Sequence, residues 1–211
     1  MGIKKYTAQQ AIDILTSTAS LYQQKLSGRR FIIVYQNSAS KCIDYKRLKF
    51  TQNNFQHLTG IRYAEKVSPK DFYKMCLNRM LSPDKIRFNP NGFTHMKLSV
   101  LPYLPELLYH KFWIGESINN DIYINADYYA GDTKCILSVG FRYASEDYPV
   151  SLKRQSIRQV VKKEQKIYAV FSQKIEEPEM WECVYKDESF SLDQITNNPI
   201  FLELNKILDT K

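Results

Sequence analysis

Apolar positions recur at three- and four-residue spacing from Thr7 to Leu26, with Ala11, Leu15, Ala19, Tyr22 and Leu26 sharing one face. That spacing predicts an amphipathic helix, started by a threonine N-cap and stopped at Ser27-Gly28. Arg30 to Gln36 holds the unbroken run Phe31-Ile32-Ile33-Val34-Tyr35, which reads as a buried strand. After a polar turn at Asn37 to Ser40, Cys42 to Phe50 alternates well enough to pair with it, and the resulting hairpin leads directly into Asn53 to Gly60. Ser68-Pro69 supplies an N-cap and a first-turn proline for a second helix with Phe72, Cys76, Leu77 and Met80 at helical spacing, ending before Ser82-Pro83.

Asp84 to Phe93 is rich in turn formers. Thr94 to Tyr109 repeats leucine at positions 98, 101, 104 and 108, but Pro102 and Pro105 predict a broken helix. From Asp121 the pattern turns to β: a strand over Ile122 to Tyr128, a turn at Ala130-Gly131-Asp132, and a second strand over Lys134 to Tyr143. Ser151 to Lys163 reads as a short basic helix with Ile157, Val160 and Val161 as its apolar side, and Ser151 as its N-cap. Two further strands are expected at Lys166 to Gln173 and Met180 to Lys186, followed by a capped helix from Ser191 to Leu208. Segregated helices and antiparallel strands of this kind make the fold α+β. A single domain of residues 1–211 is expected, with an N-terminal helix (1–28) packed on a core (29–190) and a C-terminal helix (191–211).

At 44% hydrophobic and 13% aromatic residues, the composition is that of a chain that packs a core rather than staying disordered. There is no run of 18 apolar residues and no signal-peptide order at the N-terminus, so a cytoplasmic protein without membrane attachment is expected. Cys42, Cys76, Cys135 and Cys183 are too dispersed for a zinc site and read as buried thiols. The common nucleotide-binding glycine loops, the Gly-x-Ser-x-Gly elbow and His-Glu-x-x-His are all missing, so neither a cofactor nor a metal is expected. The net charge of +8 is concentrated: Lys153 to Lys174 carries seven basic residues against one acid, Glu164. Such a strip suits a polyanion, although a solvated helix face would look the same.

Candidate chemistry centres on Asn54-Phe55-Gln56-His57-Leu58-Thr59-Gly60. His57 is one of three histidines, and imidazole is the side chain that passes protons near neutral pH. Together with Phe72-Tyr73-Lys74-Met75-Cys76-Leu77, Lys97-Leu98, Val139-Gly140-Phe141 and Tyr148-Pro149-Val150-Ser151-Leu152, this segment resembles the phage-associated nuclease-like domains of the barnase, EndoU, colicin and RelE superfamily, in particular their fourth phage-associated family. The resemblance runs from about Phe31 to Tyr185, and it departs from the family at Val150, where a small polar residue is expected before the serine.

The resemblance implies helices packed on an antiparallel sheet and metal-independent cleavage of RNA, single-stranded or tRNA, by attack of the 2′-hydroxyl. That chemistry needs a base, an acid and cations for the phosphorane. His57 is the candidate base or acid, and Thr59 and Ser151 are candidate donors to phosphate oxygens. Lys97, Arg142, Arg154, Arg158 and Lys162 are the candidate phosphate ligands, with Tyr148 or Tyr143 as a platform for a base. Each has a structural alternative: a hydrogen-bonded core histidine, a threonine capping a turn whose left-handed position Gly60 fills, a helix-capping serine, solvated charges. A second functional reading follows from the single histidine. In it the fold is kept without catalysis as a module that binds RNA or a host protein, for example a phage-encoded inhibitor of host defence.

Overall fold

A computed structural model of the chain describes residues 4–118, 125–133 and 137–190, together with Leu204. The first helix, α1 (Ala8–Lys25), starts with a capping box in which Thr7 and Gln10 satisfy each other's backbone N–H groups. It buries Ala11, Leu15, Ala19 and Tyr22, the stripe that its spacing predicts. Strands β1 (Arg29–Gln36) and β2 (Ile43–Phe50) then form the expected hairpin, Arg29 opposite Phe50. Phe31, Ile33 and Tyr35 face the main core, while Ile32 and Val34 face a smaller cluster with Ala169 and Phe171. Burial on both faces is why this strand is apolar without alternation.

Helix α2 (Gln52–Thr59) covers the segment that carries His57, and Gly60 ends it with φ 69°. Strand β3 (Arg62–Tyr63), helix α3 (Pro69–Leu77) and strand β4 (Ile86–Arg87) follow, β3 and β4 pairing with each other. The expected broken helix is α4 (Phe93–Val100), which passes at Leu101 into a 3-10 helix ending at Tyr109. The rest is β: β5 (Trp113–Glu116), β6 (Tyr128–Gly131), β7 (Ser138–Arg142), β8 (Tyr148–Lys153), β9 (Gln165–Lys174) and β10 (Trp181–Lys186). Strand order is β2-β1-β9-β5-β6-β7-β8, antiparallel throughout, with β10 on the outside of β9. The sheet curls until its ends meet: Lys49 donates to the Asp147 carbonyl at 2.9 Å and Asp147 N–H donates to the Arg47 carbonyl at 2.8 Å. Phe31, Phe50 and Phe141 pack edge to face inside the curl, bridging the two ends of the sheet.

The fold is α+β as expected, with the differences concentrated in the second half. Ala130-Gly131 lies in β6, not in a turn: a Cβ on Gly131 would stand 2.5 Å from the Leu137 carbonyl oxygen, so the glycine serves close strand approach. The segment from Ser151 is no basic helix. Ser151 sits on β8 opposite Gly140, so its backbone is satisfied by β7, and helical structure beyond it is one 3-10 turn, Ile157–Gln159. Strand β5 was not anticipated, because four residues with one glycine carry no readable period. Cys76 is buried as expected, but Cys42 is exposed at the hairpin turn and Cys183 is half-buried on the outer strand β10. The C-terminal helix and Cys135 lie outside the described residues.

Candidate functional site

Helix α2 is fixed against β8 from its first turn. Asn54 Oδ1 accepts from the Thr51 N–H at 2.8 Å and from its hydroxyl at 2.7 Å, while Asn54 Nδ2 reaches the Pro149 carbonyl at 3.5 Å. One turn later, His57 comes to the next carbonyl of the strand, that of Val150, which favours the protonated ring. Two effects outweigh it. Partial desolvation and then the charge of Lys97 lower the His57 pKa below its ordinary value, so the neutral base form dominates near pH 7.

Lys97 comes from α4. Its Nζ donates to the His57 carbonyl at 3.0 Å, and its stem crosses Gly60 so closely that a Cβ there would meet Lys97 Cδ at 2.9 Å. Burial pushes the lysine down to about 8, which leaves it mostly charged at neutral pH yet close to titration. Two adjacent groups whose pKa values are both lowered by burial form the kind of pair found at functional sites.

Gly60 and Lys97 also line a cleft of about 970 Å³ between the α4 region and the 3-10 turn after β8. Lys153 and Arg154 supply further positive charge there, with Lys153 Nζ 5.0 Å from the centre of the Tyr129 ring. Asn89, Asn91, Gln155 and Gln159 contribute amide donors and acceptors, and Phe93, 49% exposed, stands on the rim. Sequence reasoning passed over these residues. Their one legible signal is the turn Asn89-Pro90-Asn91-Gly92-Phe93, which places an aromatic side chain among amides in a loop.

The other candidates scatter. Thr59 is fully buried, its hydroxyl donating to the Gln56 carbonyl at 2.7 Å and accepting from the Ile61 N–H at 3.0 Å, so it closes the end of α2. Ser151 is buried, and its hydroxyl has no hydrogen-bond partner among the described residues. Arg142 Nε donates to the Asn125 carbonyl at 2.8 Å, and the exposed Tyr148 lies opposite it on β8. Arg158 pairs with Glu164 at 3.0 Å and Lys162 with Glu116 at 3.3 Å. Of the basic strip, then, Lys153 and Arg154 reach the cleft. Neither His57, Thr59, Ser151, Arg142, Tyr148, Arg158 nor Lys162 is among the residues lining it, although His57 is joined to it through Lys97 and Gly60. The other histidines have local partners: His95 accepts from the Tyr6 N–H and stacks on Phe88, and His110 meets Glu106.

No group of three or more His, Cys, Asp or Glu side chains that could hold a metal ion occurs among the described residues, and no helix among them is long and apolar enough to cross a membrane. The chain is an α+β protein with a curled antiparallel sheet flanked by helices and a basic cleft beside a histidine. The chain matches the family model described as phage-Barnase-EndoU-ColicinE5/D-RelE like nuclease4 over residues 14–189, and it belongs to that family. No curated protein and no solved structure matches it.

Proposed function

We propose that the chain is a metal-independent endoribonuclease whose substrate strand lies in the cleft of Lys97, Lys153 and Arg154. The observation that carries this reading is that Lys97, a cation lining that cleft, donates to the backbone carbonyl of His57 while its charge helps keep the neighbouring imidazole neutral. In the reaction, His57 takes the proton of the ribose 2′-hydroxyl as the 2′-oxygen bonds to phosphorus. The bond from phosphorus to the 5′-oxygen breaks, and that leaving oxygen takes a proton from water. The products are a 2′,3′-cyclic phosphate and a 5′-hydroxyl. Lys97 and Arg154 offset the charge that grows on the non-bridging oxygens, Arg154 in two-pronged fashion, and Phe93 stacks on a splayed base. Thr59 acts in this scheme through the helix end that it closes, as a positioning residue.

Incubation of the purified chain with tRNA or single-stranded RNA in EDTA tests the proposal. Cleavage leaving cyclic phosphate ends, reduced by about 10²- to 10⁴-fold in His57→Ala, is expected. Undiminished cleavage by His57→Ala overturns the assignment of the base. The second reading, a binding module without catalysis, is favoured by one observation: among the described residues Lys97 is the sole charged side chain that shifts His57, so no carboxylate orients the ring. It predicts a salt-sensitive RNA complex with no cleavage of any RNA.

A further inference from the structure

The mouth of the curled sheet, on the other side of the β5–β6 ribbon, holds a second cavity of about 330 Å³. Neighbouring residues divide between the two: Tyr129 and Ser117 line the first cleft, Tyr128 and Glu116 the second. At its centre Lys46 Nζ stands 5.0 Å from the Tyr128 ring centre and 4.4 Å from that of Tyr143, and 3.4 Å from the Tyr143 hydroxyl. Two aromatic faces hold the ammonium without consuming its charge.

Among the described residues, Glu116 is the carboxylate that lines this mouth, and it, Asp44 and Asp147 each have protein donors. Glu116 is paired with Lys162 at 3.3 Å. Asp44 accepts from the Tyr35 hydroxyl at 3.1 Å and the Tyr45 N–H at 2.8 Å. Asp147 accepts from the Tyr128 hydroxyl and the Ala144 N–H, both at 2.9 Å. Lys46, and Lys163 on the rim, have no carboxylate partner among the described residues. Among the described residues that line it, Lys46, Lys162 and Lys163 outweigh Glu116, so the mouth carries net positive charge beside three tyrosines, Tyr35, Tyr128 and Tyr143, a combination suited to a phosphate joined to an apolar ring.

We propose that this mouth is a second ligand site that takes a mononucleotide, with its phosphate on Lys46 and Lys163 and its nucleoside against Tyr35 and Tyr143. The site faces away from the first cleft, so it binds a separate molecule and not the continuation of the strand bound there. It stands whether or not the first cleft cleaves RNA.

Titration of the full chain with adenosine 5′-monophosphate, followed by calorimetry, tests it, with inorganic phosphate and adenosine as the partial ligands. Saturable binding is expected, at least tenfold tighter than for either fragment. Lys46→Met, which keeps the apolar stem, and Lys163→Gln are each expected to weaken it about tenfold or more, the loss of a charge-assisted contact. Arg154→Ala is expected to leave it within twofold. No saturable binding at millimolar nucleotide overturns the proposal. So does binding that survives both lysine substitutions, binding lost in Arg154→Ala, or phosphate binding as tightly as the nucleotide. Since Lys163 is an exposed rim residue, its variant decides the matter if Lys46→Met fails to fold.

Discussion

Replacing Lys97 with methionine is expected to stabilise the protein while removing the proposed RNA cleavage. Holding the ammonium in a site that lowers its pKa from 10.5 to about 8 works against folding at neutral pH. At about 1.4 kcal/mol per unit the full shift corresponds to about 3 kcal/mol, which solvent screening of this half-buried group reduces to about 1–3 kcal/mol. Methionine keeps the stem that packs over Gly60 but gives up the hydrogen bond to the His57 carbonyl, a loss of about 1 kcal/mol. The net gain is about 1 kcal/mol at pH 7. The folded-state pKa lies below the unfolded one, so the unfolded chain holds the extra proton between about pH 8 and pH 10.5. The native chain therefore gains stability as pH rises through that window, and the variant does not. Urea unfolding of both proteins at pH 7 and pH 10 measures this: the advantage of Lys97→Met shrinks or reverses at the higher pH. A variant less stable than the native chain by more than about 1 kcal/mol at pH 7, or a difference that is the same at both pH values, refutes the reasoning. RNA cleavage by the same variant is expected to fall about 10²-fold or more, since one cation beside the phosphorane is lost.

Two further outcomes follow from the packing. Ser151→Ala is expected to raise stability by about 1 kcal/mol in urea unfolding, since it removes a buried hydroxyl that has no partner among the described residues. If cleavage is lost while stability rises, that hydroxyl takes part in the reaction. Gly115→Ala is expected to cost about 2 kcal/mol or more, because the new Cβ would clash with the Lys163 carbonyl oxygen where β5 passes the 160s segment. An unchanged melting temperature would show that the segment yields freely.

The helices α1 and α3 and the first hairpin were legible because each carries its own local instructions, whereas α2 was not read as a helix. Thr7, Ser68 and Pro69 mark starts, Gly28 takes the left-handed position that marks an end, and the stripe from Ala11 to Tyr22 shows its buried face. Gly131 was misread because a glycine required by close strand approach looks the same in sequence as a glycine required by a turn. Ser151 to Lys163 failed for a related reason: apolar residues among charges fit a helix face, and only the ladder with Gly140 commits the backbone to a strand.

The candidate site divides along the same line. The sequence by itself determined the class of fold, the family resemblance and the standing of His57 as a proton-transfer candidate, since residue type and local pattern suffice for those. It also set a charge of +8. Only the tertiary structure decided which charges matter, because ion pairing and burial depend on residues distant in sequence. Glu164 and Glu116 engage Arg158 and Lys162, whereas Lys97, 40 residues from His57, is brought to its carbonyl and into the basic cleft. Thr59, two residues from His57, is turned into the core by the same helix end.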